Sequence, residues 1–249
     1  MTTKTPLEGR RALVTGASAG IGTATARQLV GLGAEVLLAA RRLERLESLA
    51  AELGPGARAL ELDVCDAAAV GAALEGQELD LLVLNAGLAR GTSPAFGNTA
   101  DEVDVMIDTN VKGYLNVLRA TLPAMLEAGR GDVVLLGSVA GRQVYPGGGV
   151  YCMTKHAVRA LYESLRIDGG GRGVRFTTVD PGMVETEFSE VRLGDAEKAA
   201  AVYAGMEPLR AEDIADVIAF AVTRPPHVNL GELVVWPTDQ ASTTQVRRD

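Results

Sequence analysis

The chain has 249 residues, of which 47% are hydrophobic and 22% charged, and its formal net charge is −8. This length is enough for an extensive core, in one large α/β domain or two small ones. The acidic balance and the lack of a basic block argue against nucleic acid as a partner. No apolar run approaches the roughly 20 residues that span a bilayer, which argues against a membrane.

The N-terminal segment and the cysteines indicate a cytoplasmic location. The segment MTTKTPLEGRR has no apolar h-region, so export is not indicated. Cys65 and Cys152 have neither the spacing of zinc ligands nor that of a disulfide framework. We therefore expect a protein of the reducing cytosol.

Short apolar runs alternate with amphipathic stretches along the chain. The predicted strands cover residues 11–15, 35–40, 57–63, 79–85, 132–138, 174–179 and 232–236. The predicted helices cover residues 21–32, 43–53, 67–74, 101–128, 150–168 and 211–223. The strands are rich in Val and Leu and apolar on both faces, as parallel strands under helices are. The alternation predicts a Rossmann-type α/β fold, a doubly wound parallel sheet of about seven strands. No linker divides it, so we expect a single domain over residues 1–249.

One region interrupts the alternation. Residues 186–208 form a mostly polar helical stretch between the sixth strand and the last helix. α/β folds commonly place substrate-covering loops at the carboxyl ends of strands. The stretch therefore predicts a substrate lid.

A glycine-rich turn joins the first predicted strand to the first helix. Its sequence is Gly16-Ala17-Ser18-Ala19-Gly20-Ile21-Gly22. Glycines let the backbone approach a phosphate closely, and the following helix N-terminus supplies free N–H groups and a favourable dipole. The spacing differs from Gly-x-Gly-x-x-Gly, and an ordinary tight turn is the alternative. The position at the first strand-to-helix junction favours a dinucleotide site.

The end of the second predicted strand indicates which dinucleotide. NAD sites place a carboxylate there, whereas an arginine accommodates the 2′-phosphate of NADP. This chain has Arg41 and Arg42 there, and the first acidic residue after the strand is Glu44. Two guanidiniums attract a phosphate, and the alternative is a pair of solvated arginines at a helix start. The pattern favours NADP(H).

A tyrosine and a lysine stand four residues apart on a predicted helix. Tyr151 and Lys155 therefore share one face, and Ser138 lies thirteen residues before the tyrosine. An ammonium beside a phenol favours phenolate and lowers the tyrosine pKa, which suits a proton donor near neutral pH. Only four lysines stand against twenty arginines, so lysine is not the default cation here. Taken alone, the pair also arises by chance on solvated helices.

Together these motifs resemble the short-chain dehydrogenase/reductase family over essentially the full length. The segments with the resemblance are Thr15 to Gly22, Asp63-Val64, Asn85-Ala86-Gly87, Asn110, Ser138, Tyr151, Lys155, Pro181-Gly182 and Thr186. Leu84 departs from the family, which usually has asparagine there. Within the family the chain is most similar to NADP-dependent 3-hydroxy acid dehydrogenases, including enzymes acting on serine, through residues 106–110, 148–151, 186–192 and 226–229.

The resemblance implies hydride transfer between a secondary alcohol, or its ketone, and a nicotinamide. Tyr151 would be the general acid/base. Lys155 would lower the tyrosine pKa and hold the nicotinamide ribose. Ser138 would donate a hydrogen bond to the reacting oxygen, and Asn110 would anchor a water that links Lys155 to solvent. No metal is expected.

The resemblance also implies a set of cofactor contacts. Besides Tyr151 and Lys155, they are Gly16, Ser18, Gly20, Ile21 and Gly22 at the pyrophosphate, Arg41 and Arg42 at the 2′-phosphate, Asp63 and Val64 at the adenine, Asn85, Ala86 and Gly87 at the ribose, and Pro181, Gly182, Val184 and Thr186 at the nicotinamide amide.

The sequence thus predicts an NADP(H)-dependent oxidoreductase of a small-molecule substrate, a small 3-hydroxy acid. The alternatives are a reductase of larger ketones or aldehydes and a non-catalytic NADP-binding regulatory protein. Arg142 and Arg192 flank the expected pocket and are either carboxylate-binding residues or surface arginines. Members of the family commonly assemble through their long helices, so we expect a homo-oligomer, a tetramer or a dimer.

Overall fold

A computed structural model describes residues 5–249; residues 1–4, with Lys4 and the start of the N-terminal segment discussed above, lie outside the described residues. All seven strands are parallel and form one sheet in the order β3-β2-β1-β4-β5-β6-β7. The strands are β1 (Arg11–Thr15), β2 (Glu35–Ala40), β3 (Ala57–Glu61), β4 (Leu81–Leu84), β5 (Gly131–Leu136), β6 (Val174–Pro181) and β7 (Glu232–Val235).

The helices lie on both faces of the sheet, which confirms the predicted Rossmann-type fold. They are α1 (Gly20–Gly31), α2 (Leu43–Leu53), α3 (Ala67–Leu74), α4 (Ala100–Ile107), α5 (Gly113–Ala128), α6 (Gly149–Gly169), α7 (Phe188–Leu193), α8 (Ala196–Val202) and α9 (Ala211–Val222). Within residues 5–249, no helix has both the length and the apolar composition that a membrane span requires.

Neighbouring residues of each strand enter opposite halves of the core. Val14 packs into the cluster beneath α1 and α9, and Leu13 into the cluster beneath α5 and α6. The same alternation separates Val83 from Leu82 on β4. Both faces are therefore buried, which explains why these strands are apolar throughout rather than alternating with polar residues.

The sheet reverses its winding between β1 and β4. β1 pairs with β2 on one side and with β4 on the other. The connections after these two strands lead to opposite faces of the sheet, which leaves a crevice at their carboxyl ends. Open α/β sheets bind their ligands at such a switch point.

Several predicted elements have different ends in the structure. β3 ends at Glu61 rather than at residue 63, and β4 ends at Leu84 rather than at residue 85. Asp63, Val64 and Asn85 therefore lie in loops beyond the sheet. Strand pairing no longer constrains these residues, so they can face the crevice.

The long helix predicted over residues 101–128 is interrupted. A π-helical turn, Asp108–Lys112, separates α4 from α5, and Asn110 within it is fully buried. Thr99 begins α4 with a capping box that also involves Glu102. Single π-turns within helices often occur at functional sites.

Residues 186–208 contain the two short helices α7 and α8. The hydroxyl of Tyr203, after α8, donates to the carbonyl of Val184 at 2.8 Å and is 2.7 Å from the Ser189 hydroxyl. The segment after β7 returns to this region, where the Oε1 atom of Gln240 accepts a hydrogen bond from the Met183 N–H at 2.9 Å.

Candidate active site

A cavity of about 580 Å³ opens at the carboxyl ends of the strands. Almost every residue of the predicted site lines it; Gly22 and Asn110 lie just behind the wall. Arg41 follows β2 and Ser138 follows β5, so the strand order β2-β1-β4-β5 places them three strands apart. The glycine-rich turn follows β1, and Tyr151 and Lys155 are on α6. Residues from both halves of the chain therefore share one cavity.

The glycine-rich turn has the backbone that its glycines permit. Gly16 and Gly20 have positive φ angles of 66° and 52°. A Cβ atom at Gly22 would collide with the Gly16 carbonyl, so a larger residue there would displace the turn. Among residues 5–249 no side chain caps the N-terminus of α1, so its first N–H groups remain available to an anion.

Asn85 holds the turn in place from β4. Its Nδ2 atom donates to the carbonyl of Thr15 at 2.8 Å, and the Thr15 hydroxyl accepts from the Asn85 N–H at 3.0 Å. These bonds tie the ends of β1 and β4 together. The turn is thus fixed before any ligand arrives.

Arg41 and Arg42 have different surroundings. The side chain of Arg41 is 65% exposed, and its nearest acidic partner is Asp63, at 4.0 Å. Arg42 instead donates to the Ser18 hydroxyl at 3.1 Å and to a carboxylate oxygen of Glu187 at 2.9 Å. Arg41 therefore has the freer guanidinium for an incoming anion.

Lys155 is buried beneath the cavity floor. Its ammonium donates to the Leu136 carbonyl at 2.8 Å and lies 5.9 Å from the centres of the Tyr114 and Tyr151 rings. Burial lowers the pKa of Lys155 to about 8, although the negative charge of Asp180 opposes this shift. The ammonium is thus close to losing its proton under mildly alkaline conditions.

Tyr151 is partly exposed to the cavity, and its ring lies 5.4 Å from that of Phe188. Burial raises the pKa of Tyr151 well above its usual range, although a hydrogen bond with Ser138 and the charge of Arg192 oppose the rise. The lowering expected from Lys155 is therefore not found in this structure. The physical reason is that desolvation of the phenolate outweighs the neighbouring cations. A phenol with this pKa is protonated at neutral pH.

Ser138 and Asn110 are both held by backbone groups. The Ser138 hydroxyl accepts from the Ala140 N–H at 3.0 Å and faces the Pro181 carbonyl at 3.5 Å. The Asn110 side chain donates to the Leu88 carbonyl and accepts from the Leu88 N–H, both at 2.8 Å. Its amide also donates to the Thr154 hydroxyl at 3.0 Å, which joins the π-turn to α6.

The two candidate carboxylate-binding arginines differ in position. Arg192 lines the cavity, where it donates to the Tyr145 hydroxyl at 2.8 Å and the Gly147 carbonyl at 3.0 Å. Arg142 lies outside the cavity lining and forms ion pairs with Asp180 and Glu232. Of the two, only Arg192 can meet a ligand in this cavity.

The sequence did not single out several residues of the wall. They are Tyr145, Glu187, Tyr203, Gln240 and Thr243. Glu187 lies within a segment that resembles the hydroxy acid dehydrogenases, and this resemblance could have identified it as a site residue. Gln240 and Thr243 had none, because the segment after β7 reaches the cavity only through tertiary folding.

The residues present fit a dinucleotide. The turn leads into the N-terminus of α1, which carries no side-chain cap among the described residues, and a helix start of this kind suits a pyrophosphate. Arg41 is free to accept a further phosphate, and Lys155 and Tyr151 line the same cavity. Within the described residues, no group of three His, Cys, Asp or Glu side chains is arranged to hold a metal ion.

Comparisons with known proteins identify the family. The profile of the short chain dehydrogenase family matches residues 10–196. The chain is 41% identical to an NADP-dependent 3-hydroxy acid dehydrogenase of Schizosaccharomyces pombe, over 97% of this chain and 98% of that protein. It is 44% identical to sulfoacetaldehyde reductase 2 of Chromohalobacter salexigens, over 95% and 98% of the two chains.

A solved structure is similar over the same extent. The closed form of a serine dehydrogenase complexed with NADP+ superposes with a TM-score of 0.91 and is 40% identical. The similarity covers 96% of this chain and all of the other. The family resemblance inferred from the sequence is confirmed. The chain belongs to the short-chain dehydrogenase/reductase family of oxidoreductases.

Proposed function

We propose that the protein is an NADP(H)-dependent oxidoreductase that interconverts a small 3-hydroxy acid, or a related anionic alcohol, with its carbonyl form. The observation that supports this most is a single cavity lined both by the exposed Arg41 and by Ser138, Tyr151 and Lys155. The similar proteins, an NADP-dependent 3-hydroxy acid dehydrogenase and a serine dehydrogenase complexed with NADP+, support the same cofactor and substrate class.

Arg41 is proposed as the main determinant of NADP specificity. Its exposed guanidinium can form charge-assisted, bidentate hydrogen bonds with a phosphate. Arg42 would contribute less because the Glu187 carboxylate already pairs with its charge and Ser18 accepts from its Nε atom. The other cofactor contacts inferred above remain proposals, as does the view that residues 1–249 form one catalytic domain with residues 186–208 as its lid.

In the proposed reaction, Tyr151 gives a proton to the substrate oxygen during reduction. The nicotinamide of NADPH, when bound, supplies the hydride. Ser138 donates a hydrogen bond to the same oxygen and stabilises the negative charge that develops there. Lys155 holds a positive charge beneath the phenol, and Asn110 keeps the π-turn against α6. The raised pKa of Tyr151 keeps the phenol protonated and thus available as a donor for reduction, although it also makes the phenol a weaker acid, whereas oxidation requires the phenol to lose its proton first.

Arg192 is proposed to face the acidic group of the substrate. It lines the cavity near Tyr151, and its charge acts on the pKa of that phenol. One cavity of about 580 Å³ must also admit a dinucleotide, which favours a small substrate over an acyl chain. A reductase of larger ketones or aldehydes remains the second candidate because Phe188, Val191 and Val202 give the wall an apolar portion.

The test is an assay of the purified protein with NADP+ and L-serine, 3-hydroxybutyrate and 3-hydroxyisobutyrate, with a neutral secondary alcohol as the comparison. We expect turnover of at least one hydroxy acid and a clear preference over the neutral alcohol. Silence with all three acids would remove the substrate proposal. Tyr151→Phe should abolish turnover while NADPH still binds, and Tyr162→Phe, on the same helix but outside the cavity lining, should stay active.

A cytoplasmic location and assembly into a homotetramer or homodimer also remain predictions. Subunits of this family commonly assemble through their long helices, which in this chain would be α5 and α6. Sedimentation of the purified protein measures the number of chains.

A further inference from the structure

Asp180 is a buried acid next to the candidate active site that the proposed reaction does not use. It lies on β6 and is 2% exposed. One carboxylate oxygen accepts from the Thr178 hydroxyl at 2.7 Å, and the other accepts from Nε of Arg142 at 2.7 Å. Both oxygens are therefore occupied. A buried carboxylate without such donors would be costly.

Arg142 connects this acid to the surface. Its Nη2 atom lies 2.6 Å from an oxygen of Asp180 and also forms an ion pair with Glu232 on β7. The side chain of Glu232 is 34% exposed, whereas that of Asp180 is only 3% exposed. The arginine thus stands between one carboxylate in contact with solvent and one beneath the active site.

Asp180 touches the backbone that forms the cavity floor. A Cβ atom at Gly137 would collide with its carboxylate, so the two are in direct contact across β5 and β6. The residue before Gly137 provides the carbonyl that accepts from Lys155, and the residue after it is Ser138. The carboxylate is therefore next to the anchoring points of both side chains.

The same acid holds the turn that follows Ser138. This turn, Val139–Gly141, ends at Arg142, whose guanidinium is bound to Asp180. Gly141 packs against the backbone carbonyl of Lys155 so closely that a Cβ atom would not fit. The ion pair between Asp180 and Arg142 thus holds the Val139–Gly141 turn against α6. The contact on α6 is at Lys155 itself.

Few charges surround the buried ammonium. The titratable groups near it are Tyr114 on α5, Tyr151 on its own helix and Asp180 on β6. The remaining neighbours, the Leu136 carbonyl and the Asn110 amide, do not titrate. Of these groups only Asp180 has a negative charge at neutral pH, and Arg142 partly neutralises it.

We propose that Asp180 is a positioning residue for the active site: it supplies the buried negative charge that stabilises the Lys155 ammonium, and Arg142 moderates that charge while it holds the turn after Ser138. The role in catalysis rests on the function proposed above, whereas the electrostatic effect on Lys155 does not. Removing Asp180 or Arg142 should therefore have opposite effects on the lysine.

The test measures the titration of Lys155 directly in the full-length protein without ligands. The chain has only four lysines, so the side-chain Cε signals of protein made with ¹³C-lysine are few, and the one missing in Lys155→Arg identifies Lys155. In Asp180→Asn the midpoint should move to lower pH by about one unit. In Arg142→Met it should move to higher pH, because the negative charge of Asp180 is no longer neutralised.

Glu232→Gln is the matched control. It removes a carboxylate from the same arginine but at the surface, and it should leave the titration of Lys155 in place. An unchanged midpoint in Asp180→Asn, or shifts of the same sign in both buried variants, would overturn the proposal. If the asparagine variant does not fold, Arg142→Met alone decides, since no change or a fall in its midpoint contradicts the assigned role.

Activity provides a second readout. In NADPH-dependent reduction, the pH above which kcat falls should move with the lysine midpoint, downward in Asp180→Asn. A kcat that decreases by the same factor at every pH would indicate a purely structural role and reject the electrostatic one. A wild-type protein without turnover would refute the proposed function but not the titration result.

Discussion

Glu187 and Arg42, which both line the cavity, form an ion pair with 2.9 Å between carboxylate oxygen and guanidinium nitrogen. The other oxygen of Glu187 lies 2.6 Å from Arg45 on α2. Burial alone would raise the pKa of Glu187, but the two arginines lower it below its usual range. Thr186, the preceding residue, packs against Gly20. Thr186 and Glu187 thus hold the segment after β6 against the first turns of α1 and α2.

We expect Glu187→Gln to release NADPH about fivefold faster than the wild-type protein, since the amide keeps the size of the side chain but loses both ion pairs. Thermal stability should hardly change, because the pairs are exposed. Stopped-flow displacement of bound NADPH measures the rate. Glu190→Gln, a nearby exposed substitution on α7, is the control. Equal rates of NADPH release in the two variants would show that the ion pairs of Glu187 do not retain the cofactor.

Arg41→Ala should reduce kcat/KM with NADPH about 30-fold and leave the value with NADH nearly unchanged. Its free guanidinium is the proposed partner of the 2′-phosphate, and a charge-assisted pair of this kind contributes about 2 kcal/mol. The ratio of the two kcat/KM values is the measurement. Arg45→Ala removes a neighbouring charge whose partner is Glu187 and should alter the ratio much less. Similar losses in both variants would indicate general electrostatic attraction.

Lys155→Met should stabilise the fold while it abolishes turnover. The pKa of Lys155 falls to about 8 from 10.5, so burying the charged form costs about 3 kcal/mol below pH 8. Between pH 8 and 10.5 the unfolded chain binds more protons than the folded one, and the stability of the wild-type protein rises with pH. The advantage of the variant should therefore be greatest at neutral pH and fade toward pH 10.5. Denaturant unfolding at pH 7 and pH 10 measures it, and a less stable variant at pH 7 would contradict the assigned cost.

Arg175→Met should lower the free energy of unfolding by about 3 kcal/mol without changing KM for NADPH. The Arg175 guanidinium pairs with buried Asp132 at 2.7 Å and donates to carbonyls at the end of α9 and the following loop, including Val222 and Val228. These contacts lie at the opposite end of β6 from the cavity. Arg27→Gln, which breaks an exposed pair with Glu52, should not shift the denaturation midpoint measurably. A change in KM would show that the two ends of the strand are coupled.

The strands, and the placement of most candidate site residues around one cavity, follow from the sequence for physical reasons. Strands buried on both faces are continuous apolar runs, and Tyr151 and Lys155 follow from the helical period. The π-turn at Asn110 could not be predicted, since it arises where the Asn110 side chain bonds to Leu88 and Thr154, which are distant in sequence. The contacts of Glu187 with Arg42 span 145 residues and have no local signature.

The pKa values and charge partners of the site residues also could not be predicted from the sequence. From spacing alone Lys155 is expected to make Tyr151 more acidic, yet in the folded chain burial raises the pKa of that phenol. The sign depends on how much water the fold removes, and periodicity contains no information about this. Arg142 and Arg192 are equivalent candidates in the sequence; the structure separates them because Asp180 on β6 holds only the first.

The order of the strands has a consequence for how the protein is made. β1 lies against β4, so the glycine-rich turn cannot acquire its bonds to Asn85 until the ribosome has synthesised Asn85. The cavity wall beside Gly20 cannot form before Thr186 is synthesised, and the hydrogen bond at Met183 cannot form before Gln240 is synthesised. A nascent chain therefore has no complete binding cleft until Gln240 has emerged from the ribosome. Truncated fragments should accordingly gain little protection from protease when NADPH is added.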